Sequence, residues 1–253
     1  MRKPLLALGI LLALLAPAIG QDAKPLEVIQ KAIDAHGGAA ALNKAKIAKT
    51  TAKGTMNLGG QKIEYATTAI HSLPDKYKLE TTGELAKLKL VTSQVLNGKK
   101  TKIRATLAGA DQPLPEKAKD ETIQAALVQE ASLLTPLLEA KKYAMKADKD
   151  ADVIGSPATV IVVTGNGLKE LKLFFDKKTS QLVKMQRKGL APGSAGVVEV
   201  DEETFLSDFK KFDSALLPTK VVVTHDKKEF LTMTVTEWKF LDKVEATEFP
   251  VDD

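Results

Sequence analysis

The run Ala158-Thr159-Val160-Ile161-Val162-Val163-Thr164-Gly165, followed by Asn166-Gly167 and then by Leu168–Asp176, decides the architecture. Val, Ile and Thr side chains fit a pleated, half-buried backbone. Asn-Gly supplies two residues that tolerate positive φ, as a two-residue hairpin requires. Asp176-Lys177-Lys178-Thr179-Ser180 then turns the chain into a further strand over Gln181–Lys188. Three strands joined by connections this short form an antiparallel meander.

The same texture extends outward. Leu58-Gly59-Gly60-Gln61 joins strands over Lys46–Asn57 and Lys62–Ser72. Pro74-Asp75 opens a turn before Tyr77–Thr82, Leu85–Leu96 alternates, and Asn97-Gly98 leads into Lys100–Leu107. Tyr143–Ala147, Val197–Phe209, Thr219–Thr224 and Glu229–Phe240 complete a set of about 11–12 strands. Residues 108–118 read as loop, as does Pro192-Gly193-Ser194-Ala195-Gly196.

Two helical segments interrupt the strands. Lys24–Ala35 places Leu26, Ile29 and Ile33 at helical spacing, with Pro25 in the first turn and Gly37-Gly38 after the end, and Ala39–Asn43 adds a second short turn. The second helix spans Glu121–Ala140, with Asp120 as its cap and Pro136 kinking or ending it. Its apolar positions are Ile123, Leu127, Leu134 and Leu138. Twist accumulates with every strand, so a sheet of this size cannot stay flat. The expected fold class is mainly β (α+β): a curved antiparallel half-barrel with helices covering its concave face.

The chain has 253 residues, 44% of them hydrophobic and 27% charged, with a net charge of +5. That charge is spread along the chain and does not indicate a nucleic-acid partner. The lysines at 99, 100 and 102 and at 210 and 211 lack interleaved aromatics and read as solvated strand faces. There is no cysteine, which excludes disulfides, thiolate metal sites and cysteine nucleophiles. The start of the chain reads as a secretory signal peptide over residues 1–20. Arg2 and Lys3 precede the apolar run Leu5–Leu15, and Ala18-Ile19-Gly20 sets cleavage near Gly20, before Gln21. The run is short for a membrane span, which needs ~20 residues. Residues 21–253 are then expected to form a single domain in a periplasmic or secreted protein.

Catalytic patterns are weak. Gly193-Ser194-Ala195-Gly196 is one residue short of a nucleophile elbow. Asp148, Asp150 and Asp152 alternate like a calcium loop, but Val153 and Thr159 stand where glycine and a carboxylate are needed. His36 reads as a cation at a helix end, and His71 and His225 as surface residues at strand ends. No catalytic residue, metal ligand or cofactor is assigned.

Local phrases add a resemblance. These are Ala32-Ile33-Asp34-Ala35-His36-Gly37-Gly38 with Ala41-Leu42, then Phe205-Leu206-Ser207-Asp208-Phe209 through Phe212-Asp213, then Leu217-Pro218-Thr219-Lys220, and finally Phe249-Pro250. With the order of elements, they resemble the periplasmic lipoprotein-carrier superfamily (LolA/LolB-like), near its outer membrane lipoprotein-sorting relatives. The resemblance implies a half-barrel that holds lipid or lipoprotein acyl chains under a helical lid. The protein would be non-enzymatic and monomeric, with envelope proteins as further partners, peripheral membrane contact and no nucleic acid. Lid-side candidates for lipid binding are Ile123, Leu127, Leu134 and Leu138, and sheet-side candidates are Phe174, Phe205 and Phe209. Two other functions fit the same chain: an envelope sensor or scaffold that binds exported proteins, and a secreted hydrolase.

Overall fold

Tight turns set the sheet. In a computed structural model, which describes residues 23–139, 141–193 and 196–251, six hairpin turns hold both central residues at positive φ, one of them Gly59-Gly60, as the sequence sets it. The other five are Ala86-Lys87, Ala108-Gly109, Ile154-Gly155, Asn166-Gly167 and Asp226-Lys227. This backbone matches the twist of the flanking strands. Ala86-Lys87 makes its turn without glycine. It splits the alternating run Leu85–Leu96 into β3, ending at Leu85, and β4, starting at Leu88.

In chain order the strands are β1 (Ile47–Leu58), β2 (Gln61–Ser72), β3 (Lys76–Leu85), β4 (Leu88–Asn97), β5 (Lys100–Leu107), β6 (Ala110–Asp111) and β7 (Ala144–Ala147). They continue as β8 (Ala151–Val153), β9 (Ser156–Gly165), β10 (Leu168–Asp176), β11 (Leu182–Gly193), β12 (Gly196–Phe212), β13 (Ala215–His225) and β14 (Lys228–Phe240). All belong to one 14-stranded antiparallel sheet with the order β6-β5-β4-β3-β2-β1-β14-β13-β12-β11-β10-β9-β7, and β8 pairs with β9. The two strands beyond the expected twelve are β6 and β8, of two and three residues. Neither is long enough to leave an alternating signal.

The first and last strands pair at the centre of the sheet and join two wings, β1–β6 and β7–β14. The β1–β14 register shifts at Thr51/Ala52, a bulge of the kind that increases local twist. Close by, a Cβ on Gly54 would stand 1.9 Å from the Thr232 carbonyl oxygen, so only glycine lets β14 approach this closely.

The helices α1 (Ala23–Ala35), α2 (Ala39–Lys44) and α3 (Lys117–Ser132) cover the concave face. Strand alternation brings Leu171, Leu173 and Phe175 of β10 and Ile161 and Val163 of β9 to that face. There they pack with Ile29, Ile33, Leu42, Ala131 and Leu137 into the main core. The helix expected over Glu121–Ala140 is shorter and starts earlier. Asp120 lies inside its first turn, where a carboxylate complements the exposed N–H groups, instead of capping it. The α-helix stops at Ser132, Leu134 takes φ 65°, and Pro136 sits in a 3-10 turn over Thr135–Leu138. α3 contacts β4 and β5 on one wing and β10 and β11 on the other, so it bridges the sheet.

A smaller core lies on the convex side, where β8 covers Ala158, Val160 and Phe174. The segment after β14 reaches β4: Asn97 Nδ2 donates to the Phe249 carbonyl at 3.1 Å, and the Phe249 side chain is buried. Among the described residues, no helix is long and apolar enough to cross a membrane.

Candidate functional site

The concave face of the first wing is built from small and aliphatic residues. Thr92 pairs with Ala105 and Gln94 with Ile103 across β4 and β5. Facing them are Leu190 and Ala191 of β11 and Val197 of β12, and Leu114, Ala118 and Glu121 close the space from the segment entering α3. These residues line a half-open hollow of about 190 Å³. The core at the other end of the concave face is filled by α1, α2 and the second half of α3.

α3 is fastened over this space by polar contacts that its sequence makes available on successive turns. The Arg187 guanidinium of β11 donates to the Glu121 carboxylate and, through Nε, to Glu202 of β12 at 2.7 Å. Glu202 also meets His225 Nε2 at 3.3 Å. Burial opposes the Arg187 charge, yet the Glu202 and Glu121 carboxylates outweigh it and push its pKa up. Burial likewise opposes ionisation of Glu202, but the His225 and Arg187 contacts prevail and hold its pKa below the usual carboxylate range. Gln124 donates to the Gly167 carbonyl at 2.8 Å and accepts from the Lys169 N–H at 2.9 Å, which locks α3 to the β9–β10 turn. At its far end Glu130, 2% exposed, accepts from the Tyr143 hydroxyl at 2.8 Å and from Lys142 at 2.6 Å. A buried carboxylate is tolerable only with such partners.

The structure separates the residues named from the sequence. Leu127 and Leu134 are buried in the main core, and Ile123 packs half-buried between that core and the Tyr77–Leu96–Ala126 cluster. Leu138 is 38% exposed, because the 3-10 turn rotates it away from the α-helical stripe. Phe174 and Phe205 do not build the concave wall. Alternation along β10 sends Leu173 and Phe175 inward and Phe174 outward, and Phe205 shares the convex side with it. The Lys184 ammonium lies over both rings, 4.7 and 5.2 Å from their centroids. Phe209 is half-buried and meets the His36 ring edge-on at 5.5 Å. The walls of the hollow were missed because Ile103 and Ala105 are single apolar residues in a polar run, one between Lys102 and Arg104 and the other between Arg104 and Thr106. Their alternation was visible, but the face it served was not.

The histidine expectations are also corrected. His36 is 5% exposed and His71 2%. His36 Nδ1 donates to the Leu216 carbonyl at 2.7 Å while Nε2 accepts from the Leu182 N–H at 3.1 Å. This pair of partners requires a neutral ring, so His36 ties α1 to β11 and β13 and does not cap a helix as a cation. Burial lowers its pKa against the opposing effect of the Leu216 bond, and His71 behaves alike with the Ala45 carbonyl. Asp148 pairs with Lys172 at 2.8 Å, Asp150 with Lys177, and Asp152 accepts from the Gly155 N–H at 2.7 Å. The alternating carboxylates therefore serve ion pairs and a turn. Among the described residues, no three His, Asp or Glu side chains are grouped to hold a metal. Ser194 and residues 1–20 lie outside the described residues.

No protein-family model and no curated protein matches the sequence. Solved structures do match. A LolA superfamily protein from Nitrosomonas europaea aligns at TM-score 0.52 and 11% identity, over 83% of this chain and 96% of that one. A DUF1329 family protein from Desulfovibrio piger aligns at TM-score 0.50 and 12% identity, over 89% and 96%. Both alignments cover most of each chain. The chain therefore has the fold of the LolA superfamily.

Proposed function

We propose that this protein is an exported, non-enzymatic carrier that holds acyl chains of lipids or lipoproteins between the concave sheet and α3. The observation that carries this reading is the hollow under the first turns of α3, lined by Ile103, Ala105, Leu114, Leu190, Ala191 and Val197. A methylene buried against such walls contributes about 0.8 kcal/mol, so affinity grows with chain length and needs no polar recognition. At about 190 Å³ the hollow is smaller than the roughly 300–1,000 Å³ of ordinary ligand pockets. Loading therefore displaces the front of α3, and the bound form is the open one. The Glu121–Arg187 contact opposes that opening and makes it reversible. Cleavage near Gly20 and a role in outer-membrane lipoprotein sorting belong to this proposal, as do Ile123 and Leu127 as the lid surface that meets the chain.

Native mass spectrometry of protein purified from cells tests it. The expected result is an acyl adduct that organic extraction removes and added fatty acid restores. Ala105→Phe and Leu190→Trp fill the hollow and should reduce uptake at least tenfold while the fold is kept. Absence of any adduct, or full uptake by both folded variants, would end the reading.

A further inference from the structure

The lysines of the convex face differ in their partners. On the second wing Lys172, Lys184 and Lys188 each sit on a carboxylate: Asp148, Glu203 and Asp201. On the first wing the register aligns Lys239, Lys49, Ile70, Lys78, Val95 and Lys102 in one row across six strands. At the usual strand spacing that row is about 24 Å wide. Lys239 and Lys49 are directly opposite one another, an arrangement that destabilises a sheet when both are charged. Among the described residues, no carboxylate lies within 4.0 Å of Lys49, Lys53, Lys62, Lys76 or Lys239. On this face Lys78 pairs with Glu80 at 3.3 Å, while Lys49 and Lys239 stand side by side without such a partner.

We propose that the convex face of β14, β1, β2 and β3 docks on an anionic phospholipid surface. Charge complementarity supplies the attraction, with each lysine near such a surface adding a favourable increment. The chemistry of the face favours a membrane over a protein. Protein interfaces concentrate aromatic and arginine anchors and are depleted in lysine. This face offers lysines in excess over the carboxylates Glu64, Glu80 and Glu237, with threonine and isoleucine between them and no exposed aromatic anchor among its strand positions. Docking leaves the concave side, and the hollow, turned away from the lipid surface. The inference does not depend on acyl cargo, which the native mass spectrum reads separately.

Vesicle sedimentation of the whole exported protein is the test. Binding is expected to phosphatidylcholine vesicles containing about 30% phosphatidylglycerol at about 50 mM salt, and to be lost at about 500 mM salt or without phosphatidylglycerol. Lys49→Gln with Lys239→Gln should weaken partitioning about tenfold. Lys178→Gln with Lys211→Gln removes the same charge from the other wing and should change it less than about twofold. Thermal unfolding followed by circular dichroism checks the fold, and Lys53→Gln with Lys62→Gln, exposed positions of the same face, replaces the first pair if it fails. Three results would overturn the proposal: no association with the anionic vesicles, equal losses in both double variants, or an acidic protein bound by this face while vesicles are not.

Discussion

Arg187 on β11 and Glu121 on α3 form a charge pair that crosses from the sheet to the helix over the hollow. Arg187 is held at the same time by Glu202, so removing Glu121 leaves the guanidinium partnered and the sheet intact. Glu121→Gln is therefore a selective release of α3. Opening of its first turns should become easier by about 1–3 kcal/mol, the usual cost of losing one charged hydrogen bond. Hydrogen exchange of the α3 amides measures this, and acyl uptake should quicken in parallel. Arg187→Met is harsher. It strands Glu121, takes the guanidinium from Glu202 and leaves that carboxylate to His225, and should lower global stability by about 3–5 kcal/mol.

The two halves of the helical cover should respond differently to mutation. Leu134 is 1% exposed within the main core. Leu134→Ala should cost about 2–5 kcal/mol in chemical denaturation, the range for a buried leucine. Acyl binding by the remaining folded protein should be unaffected, because the hollow is walled by other residues.

Phe174 separates core from cargo on the sheet side. It is 5% exposed beneath β8 and lies under the Lys184 ammonium. Phe174→Ala should reduce stability by about 3–5 kcal/mol. A loss of acyl uptake beyond the loss of folded protein would contradict its convex placement.

Buried neutral histidines make the fold sensitive to acid. His36 and His71 both have pKa values below the ordinary 6.5 because burial disfavours the imidazolium. The unfolded chain binds these protons first as pH falls. Their contribution is complete above pH 6.5 and is lost progressively as pH drops from there toward the lowered folded values. Urea midpoints should therefore fall between about pH 7.5 and pH 5. His36→Gln should be less stable at the upper pH and show a shallower decline, since it cannot protonate against the Leu182 N–H. An identical slope in the variant would exclude His36 as a source.

Much of the fold was written locally. The Val-Ile-rich strand at 158–165, the Asn166-Gly167 turn and the first amphipathic helix each depend on residues a few positions apart, and each appears where the sequence sets it. Hairpins of this kind select antiparallel pairing without reference to the rest of the chain. The turn at Ala86-Lys87 carried no such signature, since its backbone is imposed by the strands it joins.

Long-range pairing was settled only when the chain closed. That β1 lies against β14 and that α3 bridges β4–β5 to β10–β11 are contacts between residues far apart in sequence. The face on which a strand residue lies follows from such pairings, because a shift of one position exchanges inside for outside. Hence Ile103 and Ala105 came to wall a hollow while Phe174 and Phe205 faced out, and His36, an unremarkable helix-end residue by sequence, became a buried tie across three elements.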